Sequence, residues 1–396
     1  MPKQKTTAAI KAGQEIPEGW REVNLGEVIK IRKGLTYKSL DYGDETNGLV
    51  FINLKCIAKG GGFNKAGIKY YKGQYSEEDL VNGGDLIIAN TDLTRAGDVI
   101  GAPLFVPNIT DKKMLMSMDV SALDINENLT NKKFIYYYLL QDKVRQFMRN
   151  ISSGSTVLHL QVKEVPKFKI LLPPLTTQNK IAEILGAVDE DIEKVEKIIS
   201  NSESIKTGLM CRFFNLEIKG RKDFKLGEVC NFVTGKLNSN QAELGGVYPF
   251  FTCSQETFRI NKYSFDCEAI LLAGNNAAGI YSVKYYKGKF DAYQRTYVIT
   301  VRDKTKTDYL YLKNFLEWKL DDLRKKSVGT STKFLTIKLL LNLKLSLPKI
   351  EEQKYCSKIL LILDDKISVY KKIKYNLTQL KKGLMADLLS GHKIIS

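Results

Sequence analysis

Groups able to serve as base, nucleophile or metal ligand are scarce in this 396-residue chain: two histidines, His159 and His392, and six cysteines, Cys56, Cys211, Cys230, Cys253, Cys267 and Cys356. Zinc sites draw on paired cysteines such as C-x-x-C. No such pair occurs, so neither a structural metal nor a disulfide framework is expected. A catalytic base needs a partner that orients it. His159 sits between Leu158 and Leu160 like a packed or half-exposed ring, and His392 falls in the terminal tail. The phosphate-wrapping pattern G-x-x-x-x-G-K-[ST] is missing, and Gly60-Gly61-Gly62-Phe63-Asn64-Lys65 reads as a turn. Leu172-Pro173-Pro174-Leu175 lacks the polar residue and the aromatic ring of an amino-methyltransferase signature, and Glu217-x-Lys219 has no Pro-Asp dipeptide before it to help hold a nuclease metal. The chain is therefore expected to bind no cofactor of its own and to catalyse nothing.

Recognition is the chemistry that remains. Lysine and arginine number 61 against 44 acidic residues, a formal charge of +17 spread over the whole chain, which biases it toward a polyanion. Nucleic acid is the leading partner. An anionic membrane surface is the competing one, but apolar runs such as 359–363 fall far short of the roughly 20 residues that span a bilayer. Polar and cationic side chains recur in glycine-punctuated loops. In the first half they are Lys33, Thr36, Tyr37 and Lys38, then Asn90, Thr91, Thr94 and Arg95, then Ser153, Ser155 and Thr156. In the second half they are Lys236, Asn238 and Asn240, then Asn275 and Asn276, then Gln294 and Arg295, then Thr330, Ser331 and Lys333. Asn, Gln and Arg can pair with base edges, while Lys, Ser and Thr suit phosphates. These residues are the candidate DNA contacts. Solvated turns have the same composition, so the weight lies in their recurrence at matching places.

Such loops need a frame, and the chain carries one twice. Residues 154–214 align without a gap on 329–389, with roughly 18 of about 61 positions identical where an unrelated pair would share about 4. Leu172-Pro173 matches Leu347-Pro348, Gln178 matches Gln353, Ile184-Leu185 matches Ile359-Leu360, and Lys206-x-Gly208-Leu209-Met210 matches Lys381-x-Gly383-Leu384-Met385. Upstream, Leu25-Gly26-Glu27-Val28 and Gly34 return as Leu226-Gly227-Glu228-Val229 and Gly235. The chain divides accordingly into a mobile amino-terminal arm (1–16), a first domain (17–173), a first long helix (174–218), a second domain (219–348), and a second long helix with its tail (349–396). The arm has no apolar segment of the kind that directs export, which with the unpaired cysteines points to a reducing cytoplasm.

Within the first domain, short apolar runs predict strands over 28–31, 49–53, 85–89 and 167–172, with one late helix over 132–149. The second repeats the plan with strands over 229–233, 268–273, 296–300 and 343–347 and a helix over 308–325. Strands with a late helix make each domain α+β. Pro173-Pro174 ends the last strand, and Thr176 or Thr177 can cap the helix after it. Ile181, Leu185, Val188, Ile192, Val195 and Ile199 then form a coiled-coil stripe. It predicts a rod of some 40 residues and roughly 60 Å. The second copy offers the matching stripe of Ile359, Leu360, Leu363, Ile367, Tyr370, Leu377, Leu380 and Leu384. The rods can pair in either direction, or stand as independent core helices. Gly208 and Gly383 each cost a helix about 1 kcal/mol relative to alanine. Their repetition suggests a close backbone crossing or a bend, or else a neutral inheritance from duplication.

Together these motifs resemble the specificity subunit of Type I restriction-modification systems, over nearly the whole chain. The marks are the Leu-Gly-Glu-Val openings, Gly84-Asp85-Leu86-Ile87-Ile88-Ala89, the Gly-Ser-Thr turn at 154–156 echoed at Gly329, the Leu-Pro joints followed by Gln178 or Gln353, and Lys-x-Gly-Leu-Met late in each rod. The second domain departs at Cys267-Glu268-Ala269, where a Gly-Asp turn belongs. The resemblance implies two similar target-recognition domains, separated by two long helices that pack as an antiparallel coiled coil with internal pseudo-twofold symmetry. Each domain would read one part of a split sequence in double-stranded DNA, and the helices would set the distance between the parts. Methylation subunits, two of them, would dock on this frame and modify adenine with S-adenosylmethionine. Restriction subunits would use ATP and magnesium to translocate and cut. A stand-alone two-domain DNA-binding or architectural protein is the alternative reading of the same residues.

Overall fold

The computed structural model describes residues 16–59, 62–94, 96–111, 113–215, 221–277 and 279–391. The expected amino-terminal arm up to residue 15, Gly60-Gly61, Arg95, Glu217-x-Lys219 and His392 lie outside the described residues. The chain forms two compact units, one from the described parts of Met1–Lys194 and Lys374–Ser396, the other from Val195–Ile373. Each unit is thus a strand-rich body with a half of each long helix.

The first unit builds two main sheets. One is antiparallel, in the order Ile29–Lys33, Val120–Ile125, Leu86–Ala89, Pro103–Phe105. The other has five strands and runs Met114–Met116 parallel to Leu49–Ile52 at its centre. The second unit builds one six-stranded sheet, because Phe265–Ala273 and Val283–Ala292 are long enough to join both layers. Two local features account for the difference. Gly84 takes the left-handed conformation (φ +87°) just before Leu86, whereas the second copy runs straight through Cys267-Glu268-Ala269 with no turn. In the first unit, strand also lapses after Phe105, where Pro107 has no amide to give a ladder.

The late helix of each body is two helices. Lys132–Leu140 ends at Gln141, which is extended (ψ 141°) and starts Asp142–Asn150; Tyr309–Trp318 ends at Lys319 before Leu320–Lys326. A single apolar periodicity does not reveal a one-residue break. In the first unit the break lets Val144, Phe147 and Met148 turn into the core, with the Phe147 ring 4.6 Å from that of Phe168. Asn131 and Asp308 cap the two starts, accepting from the Phe134 and Tyr311 amides.

The long helices span Leu175–Phe214 and Ile350–Leu388. Pro174, not a threonine, precedes the first turn, and its carbonyl accepts from the Gln178 amide; Thr176 and Thr177 lie inside the helix. The repeated glutamine supplies the joint. Gln178 is fully buried; its oxygen accepts from the Thr130 hydroxyl (2.7 Å) and the Asn131 amide (2.8 Å), and its nitrogen donates to the carbonyls of Leu129 (3.2 Å) and Pro173 (2.8 Å). Gln353 does the same, accepting from Asp308 N (2.9 Å) and donating to the Lys306 (2.8 Å) and Pro348 (2.9 Å) carbonyls. One side chain so ties strand end, helix start and the loop before the late helix.

The helices pair antiparallel. In the second unit Glu203 meets Lys371 and the later Lys206 meets the earlier Asp364 (2.5 Å). In the first, Lys381 meets Asp189 (2.6 Å), and Ile181 and Leu185 share a core with Leu388 and Leu389. Lys381 repeats Lys206 and Asp189 repeats Asp364, so exchanging the copies leaves the pairing unchanged. The stripe holds with one exception, Leu380, which is 51% exposed. The glycines do not mark a close crossing: a Cβ on Gly208 or Gly383 would meet nothing within 4 Å.

Candidate nucleic-acid interface

In the first unit a relay of backbone hydrogen bonds draws four segments to one edge. Leu35 N donates to Met116 O (2.8 Å), Met118 N to Leu35 O (2.8 Å), Asn90 N to Asp119 O (2.7 Å), and Leu160 N to Asn90 O (2.8 Å). The second unit repeats the relay with different residues. Gln294 N donates to Leu237 O (2.9 Å), Gly274 N to Arg295 O (2.8 Å), and Leu335 N to Gly274 O (2.8 Å). Two pairs of repeated glycines permit it. A Cβ on Gly34 would sit 2.2 Å from the Ser117 carbonyl oxygen, and one on Gly235 1.8 Å from that of Ala292. Gly154 (φ +121°) and Gly329 (φ +105°) turn in the left-handed region that side chains avoid.

The edge gathers most of the expected contacts. Lys33, Thr36, Lys38, Ser153, Ser155 and Thr156 are exposed, and Thr94 is half-buried. In the second unit Lys236, Asn238, Asn240, Gln294, Arg295, Thr330 and Ser331 are exposed, with Asn275, Asn276 and Lys333 half-buried. Three residues of the first unit are turned inward instead. Asn90 and Thr91 are buried and Tyr37 is half-buried. The Asn90 amide donates to the Met118 carbonyl (3.0 Å), the Thr91 hydroxyl to Asp119 (3.3 Å), and the Tyr37 hydroxyl to Asp119 (3.2 Å). The Tyr37 ring packs edge-on to Phe51 at 5.1 Å. Burial, then the neighbouring Tyr42 and Asp119, pushes the Tyr37 hydroxyl well above its ordinary pKa, so it stays a donor. These side chains hold loops in place because the relay uses the polar groups around them.

Asp92 has a similar internal task. It is 1% exposed and accepts from the amides of Thr94 (2.6 Å), Val99 (2.5 Å) and Ile100 (2.9 Å), tying Thr94 to the Val99-Ile100 pair. Burial alone would raise its pKa. The Thr94 amide and hydroxyl and the Val99 and Ile100 amides outweigh it, holding the carboxyl below its ordinary 3.8. His159 is exposed on the strand opposite Thr91 and Ser153, and Phe334 takes its place in the second unit.

Residue typing alone missed the turn at Ser117-Met118-Asp119. Asp119 shares with Tyr42, Lys55, Lys69, Thr91 and His159 a cleft of about 220 Å³. The signal lay in the other copy, where Tyr293-Gln294-Arg295 occupies the same turn, but no identity between the two triplets flags the match.

All six cysteines are free; Cys56, Cys230 and Cys356 are buried, and burial pushes Cys230 up to about 12 and Cys356 up to about 11, far from a reactive thiolate. Among the described residues no group of three or more His, Cys, Asp or Glu side chains could hold a metal ion, and no helix is long and apolar enough to cross a membrane.

Comparison with known proteins agrees with this architecture. A solved Type I restriction-modification S subunit from M. genitalium superposes with a TM-score of 0.67 at 18% identity, covering 98% of this chain and 99% of that one. The MjaVIII specificity subunit of Methanocaldococcus jannaschii is 25% identical over 421 positions, 96% of this chain and 94% of that protein. The EcoDI specificity subunit of Escherichia coli is 51% identical over 90 residues, which is 23% of this chain and 19% of that protein. The model of the Type I restriction modification DNA specificity domain matches twice, at residues 17–200 and 218–379. A chain with that domain in both of its copies belongs to the family of Type I restriction-modification specificity subunits.

Proposed function

We propose that this chain is the sequence-reading subunit of a cytoplasmic Type I restriction-modification complex, with each unit reading one part of a bipartite target in double-stranded DNA. The observation that carries this reading is the edge built twice on one backbone relay, with exposed cations, amides and hydroxyls that differ between the copies, in a chain of net charge +17. Two methylation subunits and the restriction subunits then supply the reactions, binding S-adenosylmethionine, ATP and magnesium themselves. A structural neighbour whose study concerns complex assembly and conformational transition of the type I R-M system, at a TM-score of 0.54 over 95% of this chain, supports such partnering.

The test is to replace residues 222–347 with the corresponding body of another specificity subunit and map methylated adenines made with the methylation partner. One half of the recognised sequence should change while the other persists. A change in both halves would reject modular reading.

A further inference from the structure

The turn at the centre of the edge, 117–119 in the first unit and 293–295 in the second, keeps its backbone bonds and inverts its chemistry. Asp119 O accepts from Asn90 N, and Arg295 O accepts from Gly274 N at the matching place. One position therefore carries a carboxylate in one unit and a guanidinium in the other.

The carboxylate is out of keeping with its surroundings. The chain carries +17, and an acid at an edge that meets DNA is repelled by phosphates. Among the described residues Asp119 forms no ion pair; it accepts only from the hydroxyls of Tyr37 (3.2 Å), Thr91 (3.3 Å) and Ser117 (3.4 Å), and it lines the cleft that Lys55, Lys69 and His159 share. Neutral donors that hold a charged acceptor at a cleft wall leave it aimed at a donor from outside. On duplex DNA the donors offered in the major groove are the amino groups of cytosine and adenine. Arg295 has the complementary form. It is exposed, and its guanidinium lies 5.9 Å from the Phe334 ring centroid, a contact that limits the fork's orientations. Gln294 beside it is held, donating to Asn238 at 3.0 Å. A planar fork of donors matches the O6 and N7 acceptors of guanine.

We infer that Asp119 and Arg295 are base-selecting residues of the two half-sites, Asp119 accepting from the amino group of a cytosine or adenine and Arg295 donating to a guanine. This rests on the proposed function, whose units read separate half-sequences.

The experiment maps methylated adenines made by the full chain with its methylation partner, for the wild type, Asp119→Asn, Tyr37→Phe and Arg295→Gln. Arg295→Gln should weaken the preference for guanine at one position of one half by about five- to 150-fold, and Asp119→Asn should alter one position of the other half. Tyr37→Phe removes one of the three hydroxyl donors to the carboxylate but keeps its charge, so the same base should be selected at that position. If Asp119→Asn and Tyr37→Phe shift the motif alike, Asp119 only supports the loop and its assignment is overturned. Should Asp119→Asn fail to fold, Arg295→Gln decides: an unchanged motif from a fully methylating variant overturns the inference while leaving bipartite reading in place. A wild type with no bipartite motif overturns the proposed function and the inference with it.

Discussion

Lys206 and Lys381 are the same residue making the same ion pair in two units, with Asp364 and with Asp189; Asp119 and Arg295 hold the same turn in the same two units with opposite charge. The chain thus carries an internal comparison between helices that pack and edges that face outward. Where a side chain is enclosed by neighbours from both copies' common plan, the two copies agree: Gln178 with Gln353, and Leu25 with Leu226, all four buried. Where side chains face solvent on the relay, the copies diverge while the backbone bonds persist. Packing leaves few residue types that fit, whereas a loop on a rigid scaffold is free to follow its ligand.

The sharpest challenge to that equivalence is the glutamine joint. Gln178→Leu and Gln353→Leu each leave buried carbonyls and an amide without partners, at about 1–3 kcal/mol per orphaned group. Each variant should lose roughly 3 kcal/mol or more in chemical denaturation of the full chain. Unequal losses would show that the copies are held by different means.

A smaller effect should separate the copies. Asp92 clamps its loop as a carboxylate, while its counterpart Asn276 is an amide that accepts from Ile280 N at 3.4 Å and does not titrate. Because the folded pKa of Asp92 lies below the ordinary 3.8, its stabilisation is present above that value and is lost as pH falls through the lower folded pKa. Asp92→Asn should therefore cost about 1–3 kcal/mol at neutral pH, with the gap to wild type closing below pH 3.8. A gap independent of pH would mean that the loop is held by something other than the charge.

The smallest expected effect concerns the repeated glycines. With open space where each Cβ would stand, Gly208→Ala and Gly383→Ala should each stabilise the chain by about 0.5–1 kcal/mol. A loss of stability in either would restore a packing reason for the repeat, while a gain in both marks it as inherited or kept for a partner.

Much of this was legible early, and the gaps are instructive. Ile181, Leu185, Val195 and Ile199 announced a buried stripe by spacing alone, and they are buried. Spacing said nothing of Gln141, whose extended backbone splits one expected helix into two, because a single residue barely disturbs a periodicity. Tyr37, Asn90 and Thr91 had the composition of contacts, yet their polar groups are engaged by Asp119 and Met118. Residue type reports what a group can bond, and not which neighbour reaches it first.

The duplication, the strand-rich bodies and the long amphipathic helices follow from residue order alone, since these arise from local periodicity and from identities that survive in both copies. It takes the folded chain to set the helices antiparallel, to pair each repeated lysine with the aspartate of the other copy, and to bring Asp119 and Arg295 to one position. Those facts depend on contacts between residues far apart in the chain, and of the backbone hydrogen bonds that make the relay only the repeated glycines leave a mark in the order of residues.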